Sequence, residues 1–176
     1  MRSLFLLLAP ILAPVLLAAQ AAPMEHAPET CPTPAAPLPA ELAAWKTGPS
    51  LAAATDRATL ARTRLTVGRR TELMLAPKDS VRYPSTPSKP GEPASLGGMA
   101  SFSVSRAGTY RVLLGTPAWI DVVKSRKAQT STAHAHGVAC SGIAKMVDFK
   151  LAPGRYVLQI AGSKAAAAPV LITNRP

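Results

Sequence analysis

The segments FSVSRAGTYRVLLG (102–115) and FKLAPGRYVLQIAG (149–162) constrain this chain most, because phenylalanine, glycine, tyrosine and alternating aliphatics recur in both in one order. Phe102 and Val104 alternate into Gly108, after which Tyr110, Val112 and Leu114 alternate out. Phe149 and Leu151 lead to Gly154, followed by Tyr156, Leu158 and Ile160. A period of two over both arms is the mark of half-buried strands. The pattern predicts two hairpins, the second turning at Pro153-Gly154, where proline presets one turn dihedral and glycine accepts a positive one. All four aromatic rings should be in the core.

The rest of the chain adds short apolar alternations separated by prolines and glycines. Leu65/Val67 and Leu73/Leu75 read as strands around a turn at Gly68-Arg69-Arg70, with another short strand near Val81–Tyr83 in a proline-rich surface loop that runs to Gly98. Trp119–Val123 reads as a strand with Ile120 and Val122 on one face and Asp121 on the other, and Val170–Thr173 as the last strand. Leu42 and Trp45 fit one helical turn that sets an indole on the core, and residues 51–62 have helical propensity. The expected class is mainly β, an antiparallel β-sandwich or jelly roll of about eight short strands with one or two short N-terminal helices.

Arg2, the apolar run Leu4–Leu17 and Ala19-Gln20-Ala21 match the charged region, apolar region and cleavage site of a secretory signal peptide over residues 1–21. Export to the periplasm or the extracellular space follows as an expectation, with no transmembrane segment once the signal is cleaved. Residues 22–39 hold six prolines among alanines and polar residues and read as an extended arm. Residues 40–176 are expected to form a single β-sandwich domain. Removing 21 of 176 residues leaves 155, enough for a real core, with 19 basic residues against 9 acidic ones once Arg2 is gone. Such an excess acts on attraction to anions rather than on fold. Outside the cytoplasm the polyanions are lipid headgroups, lipopolysaccharide and acidic glycans, so anionic envelope components are the candidate partners, a solvated basic surface with no dedicated partner being the plainer reading. Nucleic acid is not, since no aromatic interleaving accompanies the two tight basic clusters, Arg69-Arg70 and Lys124-Ser125-Arg126-Lys127.

Cys31 and Cys140 are the only cysteines, an even number in a chain expected to meet an oxidising compartment, so a disulfide is predicted, free thiols being the alternative. His134-Ala-His136 followed by Cys140 is the one constellation with ligand spacing. Two imidazoles at i and i+2 share a side when the segment is extended, and with a thiolate they suit copper or zinc. His26 and Met24, on the arm near Cys31, are the candidates to complete the set, yet a disulfide would remove Cys140 from it. The two histidines otherwise sit solvated in a polar loop over residues 125–143. Asp121 and Asp148 lie in strands beside apolar residues and are read as outward-facing, with a carboxylate pair as the alternative. No serine elbow or phosphate-binding glycine loop is present, so no catalytic residue is nominated.

The block GTYRVLLGTPAWIDVV through HAHGVACSGIAKMVDFKLAPGRYVLQIAG, about the last 80 residues, resembles a family of small exported proteins from sphingomonad-type bacteria. Many of them carry the label homogentisate 1,2-dioxygenase; that resemblance would imply iron. The pattern F-x-V-x-x-A-G-T-Y is similar to pre-peptidase C-terminal β-sandwich domains, which are non-catalytic modules. The H-x-H-x3 spacing resembles the first metal motif of cupins, with Cys140 where a glutamate usually stands and Ala128 where a glycine is expected. The reading overall is an exported, non-enzymatic binding or envelope-accessory protein, the alternative being a metal-binding protein that uses His134 and His136.

Overall fold

The computed structural model describes Cys31 and residues 37–175; the expected signal peptide, most of the arm and His26 lie outside the described residues. Among the described residues, eleven strands form two sheets. The six-stranded sheet has the order β1 (Ser50–Ala52), β2 (Thr71–Met74), β11 (Ala167–Arg175), β5 (Gly108–Leu114), β9 (Lys145–Leu151), β8 (Ser131–His136). The five-stranded sheet has the order β3 (Ala76–Pro77), β4 (Leu96–Val104), β10 (Gly154–Ser163), β6 (Trp119–Lys124), β7 (Lys127–Ala128). All pairs are antiparallel except β1 with β2. The sheets bury a common core that includes Phe102, Val112, Val122, Phe149, Leu158 and Ile172, so the chain is a β-sandwich.

The two repeats are not hairpins. β4 lies in the five-stranded sheet and β5 in the six-stranded one, while β9 and β10 are divided the opposite way, so each repeat is an arch that crosses between the sheets. The arches then exchange partners: β4 pairs with β10, setting Phe102 opposite Tyr156, and β5 pairs with β9, setting Tyr110 opposite Phe149. Each phenylalanine therefore meets the tyrosine of the other copy, and the Phe102 and Tyr156 rings stack with centroids 5.5 Å apart. All four rings are at most 3% exposed. Both tyrosines solve the problem of a buried hydroxyl in the same way, donating to the carbonyl four residues upstream in the crossover: Tyr110 Oη to Arg106 O at 3.0 Å and Tyr156 Oη to Ala152 O at 2.8 Å. This is the tyrosine-corner device, which holds the chain where it leaves one sheet for the other. Gly154 opens β10 at φ +146°, a conformation that side-chain-bearing residues rarely adopt.

Other expectations needed revision. Residues 51–62 hold the end of strand β1 and only one helical turn, α1 (Arg57–Leu60), which starts where Asp56 caps it by accepting from Thr59 N while the Thr59 hydroxyl accepts from Asp56 N. Residues 65–67 and 81–83 are not strands; each is held to other segments by isolated backbone bonds, Leu65 N to Ser101 O and Arg82 N to Thr55 O. The turn at Gly68 does form, with φ +84°. β4 begins at Leu96, earlier than its alternation suggests, because Gly97 and Gly98 continue the strand without side chains to mark its faces.

Each sheet has a covered outer face. A 3-10 helix, Ala40–Trp45, lays Leu42 and Trp45 over Leu113, Ile143 and Leu171, and Trp45 Nε1 donates to Ser141 O at 3.0 Å. The disulfide Cys31–Cys140 is formed, with Cα atoms 5.4 Å apart, and ties the N-terminal segment to the loop between β8 and β9. On the five-stranded sheet, the proline-rich stretch 81–90 takes the covering role. There Gln159, 1% exposed, accepts from Ser85 N and donates to Ser85 O, and Tyr83 Oη donates to Ile160 O. Burial raises the Tyr83 phenol to about 12. A Cβ at Gly97 would collide with that hydroxyl, which explains the glycine.

Candidate functional site

Between β7 and β8 the chain crosses from the five-stranded sheet to the six-stranded one, and a cleft of about 490 Å³ opens beneath the crossing. Its floor is core: Ile120, Val147 and Phe149. Gln129, Thr130 and Ser131 line one wall, and Ser88, Lys89 and Trp119 another. An apolar floor with a few convergent polar groups is the usual build of a small-ligand site.

Two ammonium groups converge on one indole. Lys89 Nζ lies 4.7 Å from the Trp119 ring centroid and Lys145 Nζ lies 5.2 Å from it. Lys145 also donates to Ala118 O at 2.9 Å. Burial, and then the neighbouring Lys89 charge, lower the Lys145 pKa from its ordinary value. Both effects disfavour the charged amine, and an anion seated between the lysines would reverse the second.

Among the described residues, Asp121 is the one acidic residue lining the cleft. It points away from Ile120 and Val122, as the alternation predicts, yet it is buried at 7% exposure because the proline-rich stretch lies over it. Its carboxylate accepts from Ser88 N at 3.1 Å, Ser88 Oγ at 3.0 Å and Trp119 Nε1 at 3.1 Å. Three donors leave it little capacity for a ligand, and they fix the indole and the Lys89 backbone in place. Asp148 is not its partner. It sits on the outer face of the six-stranded sheet, 2% exposed, in a fork with Arg111 at 2.6 and 2.8 Å and an ion pair with Arg175 at 2.9 Å. Hydrogen bonding from Arg111 is the main cause that holds its pKa below the ordinary carboxylate value. Both carboxylates thus face outward from their sheets as expected, yet each is buried with its own donors and they do not form a pair.

The histidines lie on a strand rather than in a loop. All six residues of β8 are exposed, which removes the apolar half of the alternation that would have marked it. His134 opposes Val147 and His136 opposes Lys145, so both histidines share one face of β8, and His134 lines the cleft. Cys140 belongs to the disulfide and leaves the ligand set. Among the described residues no three His, Cys, Asp or Glu side chains gather as a metal site would require. Sequence reasoning missed Lys89, Lys145 and Trp119, which are about 30 and 26 residues apart in sequence and meet only through the pairing of the sheets. The sequence matches no protein-family model and no protein of curated function.

Proposed function

We propose that this chain is an exported, non-enzymatic binding protein of the cell envelope whose ligand is an acidic sugar held in the cleft beneath the β7–β8 crossing. The convergence of Lys89 and Lys145 on Trp119 carries this reading. An indole offers an apolar face to the C–H face of a pyranose, the two amines match a carboxylate, and the side chains of Gln129, Thr130 and Ser131 suit sugar hydroxyls. The volume suits one or two sugar rings. The high basic charge of the chain favours capture of acidic glycans.

Isothermal titration calorimetry with D-glucuronate and D-glucose tests it. Saturable binding of the uronate, weak or no binding of glucose, and loss in Lys89→Ala/Lys145→Ala are expected. Equal heats for both sugars, or an unchanged double variant, would contradict the reading. A second reading, binding of copper or zinc, is supported by the shared face of His134 and His136 at the exposed edge of the sheet. It predicts stoichiometric uptake of Cu²⁺ that disappears in His134→Ala/His136→Ala. With ferrous iron and homogentisate, neither oxygen consumption nor a ring-opened product is expected, since that chemistry needs several protein ligands with open positions on the metal.

A further inference from the structure

A second concavity, of about 480 Å³, lies on the outer face of the five-stranded sheet and shares no lining residue with the acidic-sugar cleft. Its rim carries four arginines from four parts of the chain: Arg57 on α1, Arg82 in the proline-rich stretch, Arg126 at the β6–β7 turn and Arg155 on β10. Its floor includes Met99 and Val157. Among the described residues no acidic side chain lines it. Arg82 donates to Asp79 O, and the other three guanidinium groups have no hydrogen-bond or ion-pair partner among the described residues. All four arginines are exposed.

The turn that presents Arg126 is costly. Ser125 and Arg126 join β6 to β7 as a two-residue connection with φ 50° and 66°. Such turns strongly prefer Asn-Gly, because positive φ at both positions is unfavourable for other residues. Neither residue here is asparagine or glycine, and the arginine at the second position lines the concavity.

We infer that this concavity is a binding site for an organophosphate amphiphile, a phosphate monoester carried on an apolar body. A phosphate has three terminal oxygens and can accept from several guanidinium forks at once, whereas a carboxylate satisfies one or two. The Met99–Val157 floor provides for the apolar part. The site is independent of the acidic-sugar cleft, so either assignment can fail without the other.

Calorimetric titration of the full chain with monomeric dihexanoyl phosphatidate tests it, with inorganic phosphate, dihexanoyl phosphatidylcholine and polygalacturonate as comparison arms. Phosphatidate should bind at least about tenfold more tightly than inorganic phosphate, through its buried methylenes, and the choline lipid should not bind. Each of Arg57→Ala, Arg82→Ala, Arg126→Ala and Arg155→Ala should weaken it roughly three- to tenfold, as loss of an exposed charge-assisted contact does. Arg126→Gly should also weaken binding while its melting temperature stays at or above that of the parent, which separates lost contacts from lost fold. Lys145→Ala should leave phosphatidate binding unchanged. Retained affinity in the fourfold arginine variant would overturn the inference. So would phosphate binding as tightly as the lipid, or polygalacturonate binding with the same arginine dependence in place of phosphatidate.

Discussion

Trp45 and Trp119 serve the two faces of the sandwich in different ways. Trp45 is 6% exposed and closes the outer face of the six-stranded sheet as an apolar lid, beside a loop held by the disulfide. Trp119 is half-buried, anchored through its indole N–H to Asp121, and stands beside a segment that donates hydrogen bonds to Gln159 and Asp121. Apolar packing with a covalent tether closes one face. Polar pins leave charged and aromatic groups at the surface, and both concavities proposed to bind ligands border the polar-pinned segment.

The largest expected effect concerns the tethered face. Closing a loop with a sequence separation of 109 removes unfolded-state entropy, so reduction or Cys31→Ser/Cys140→Ser should cost on the order of 4 to 5 kcal/mol by the chain-entropy relation. Calorimetric melting with and without reductant measures this. Trp45 emission should shift to the red, and Trp119 emission should not.

Next comes the ion-paired row on the same sheet. Asp148→Asn leaves Arg111, which is largely buried, without its counter-charge and should cost about 3 to 5 kcal/mol in urea melts. The pH dependence has a definite sign. Because the folded-state pKa of Asp148 is lowered, its contribution is complete above the ordinary carboxylate range. It is lost as pH falls from about 4 through its own lower value, and the Asn variant should lack that part of the acid sensitivity.

A smaller effect is expected on the polar-pinned face. Gln159→Ala strips partners from Ser85 N and O, and should cost about 1 to 3 kcal/mol. Amide exchange should quicken in residues 81–90 and leave the Trp45 region unchanged. Smallest are the two crossover bonds: Tyr110→Phe and Tyr156→Phe should each cost about 0.5 to 1.5 kcal/mol, and by similar amounts if the two arches are equivalent.

The repeat was legible in the sequence as strands, rings and burial, but its topology was not. An arch and a hairpin share the same alternation, because in both the inward residues of each arm recur with period two; they differ only in which partner each arm finds. That partner lies some 50 residues away for β4 with β10, and nothing local encodes it. The disulfide was readable from cysteine count and expected compartment. β8 was not readable, since an exposed edge strand carries no apolar half. Asp121 and Gln159 were hidden for the opposite reason: they occupy outward positions, and only the proline-rich stretch laid over them makes them buried. The cleft was invisible because its lysines come from a loop and a strand on different sheets.

The two indole N–H groups report on the two faces separately, Trp45 bonded to Ser141 O and Trp119 to Asp121. A ¹⁵N–¹H correlation spectrum of the uniformly labelled chain, titrated with D-glucuronate, therefore tests the assignment of the binding cleft directly. The Trp119 indole cross-peak should move along a saturable path while the Trp45 cross-peak stays fixed, and the movement should vanish in Lys89→Ala/Lys145→Ala. Two stationary cross-peaks at saturating uronate, or equal movement of both, would contradict it.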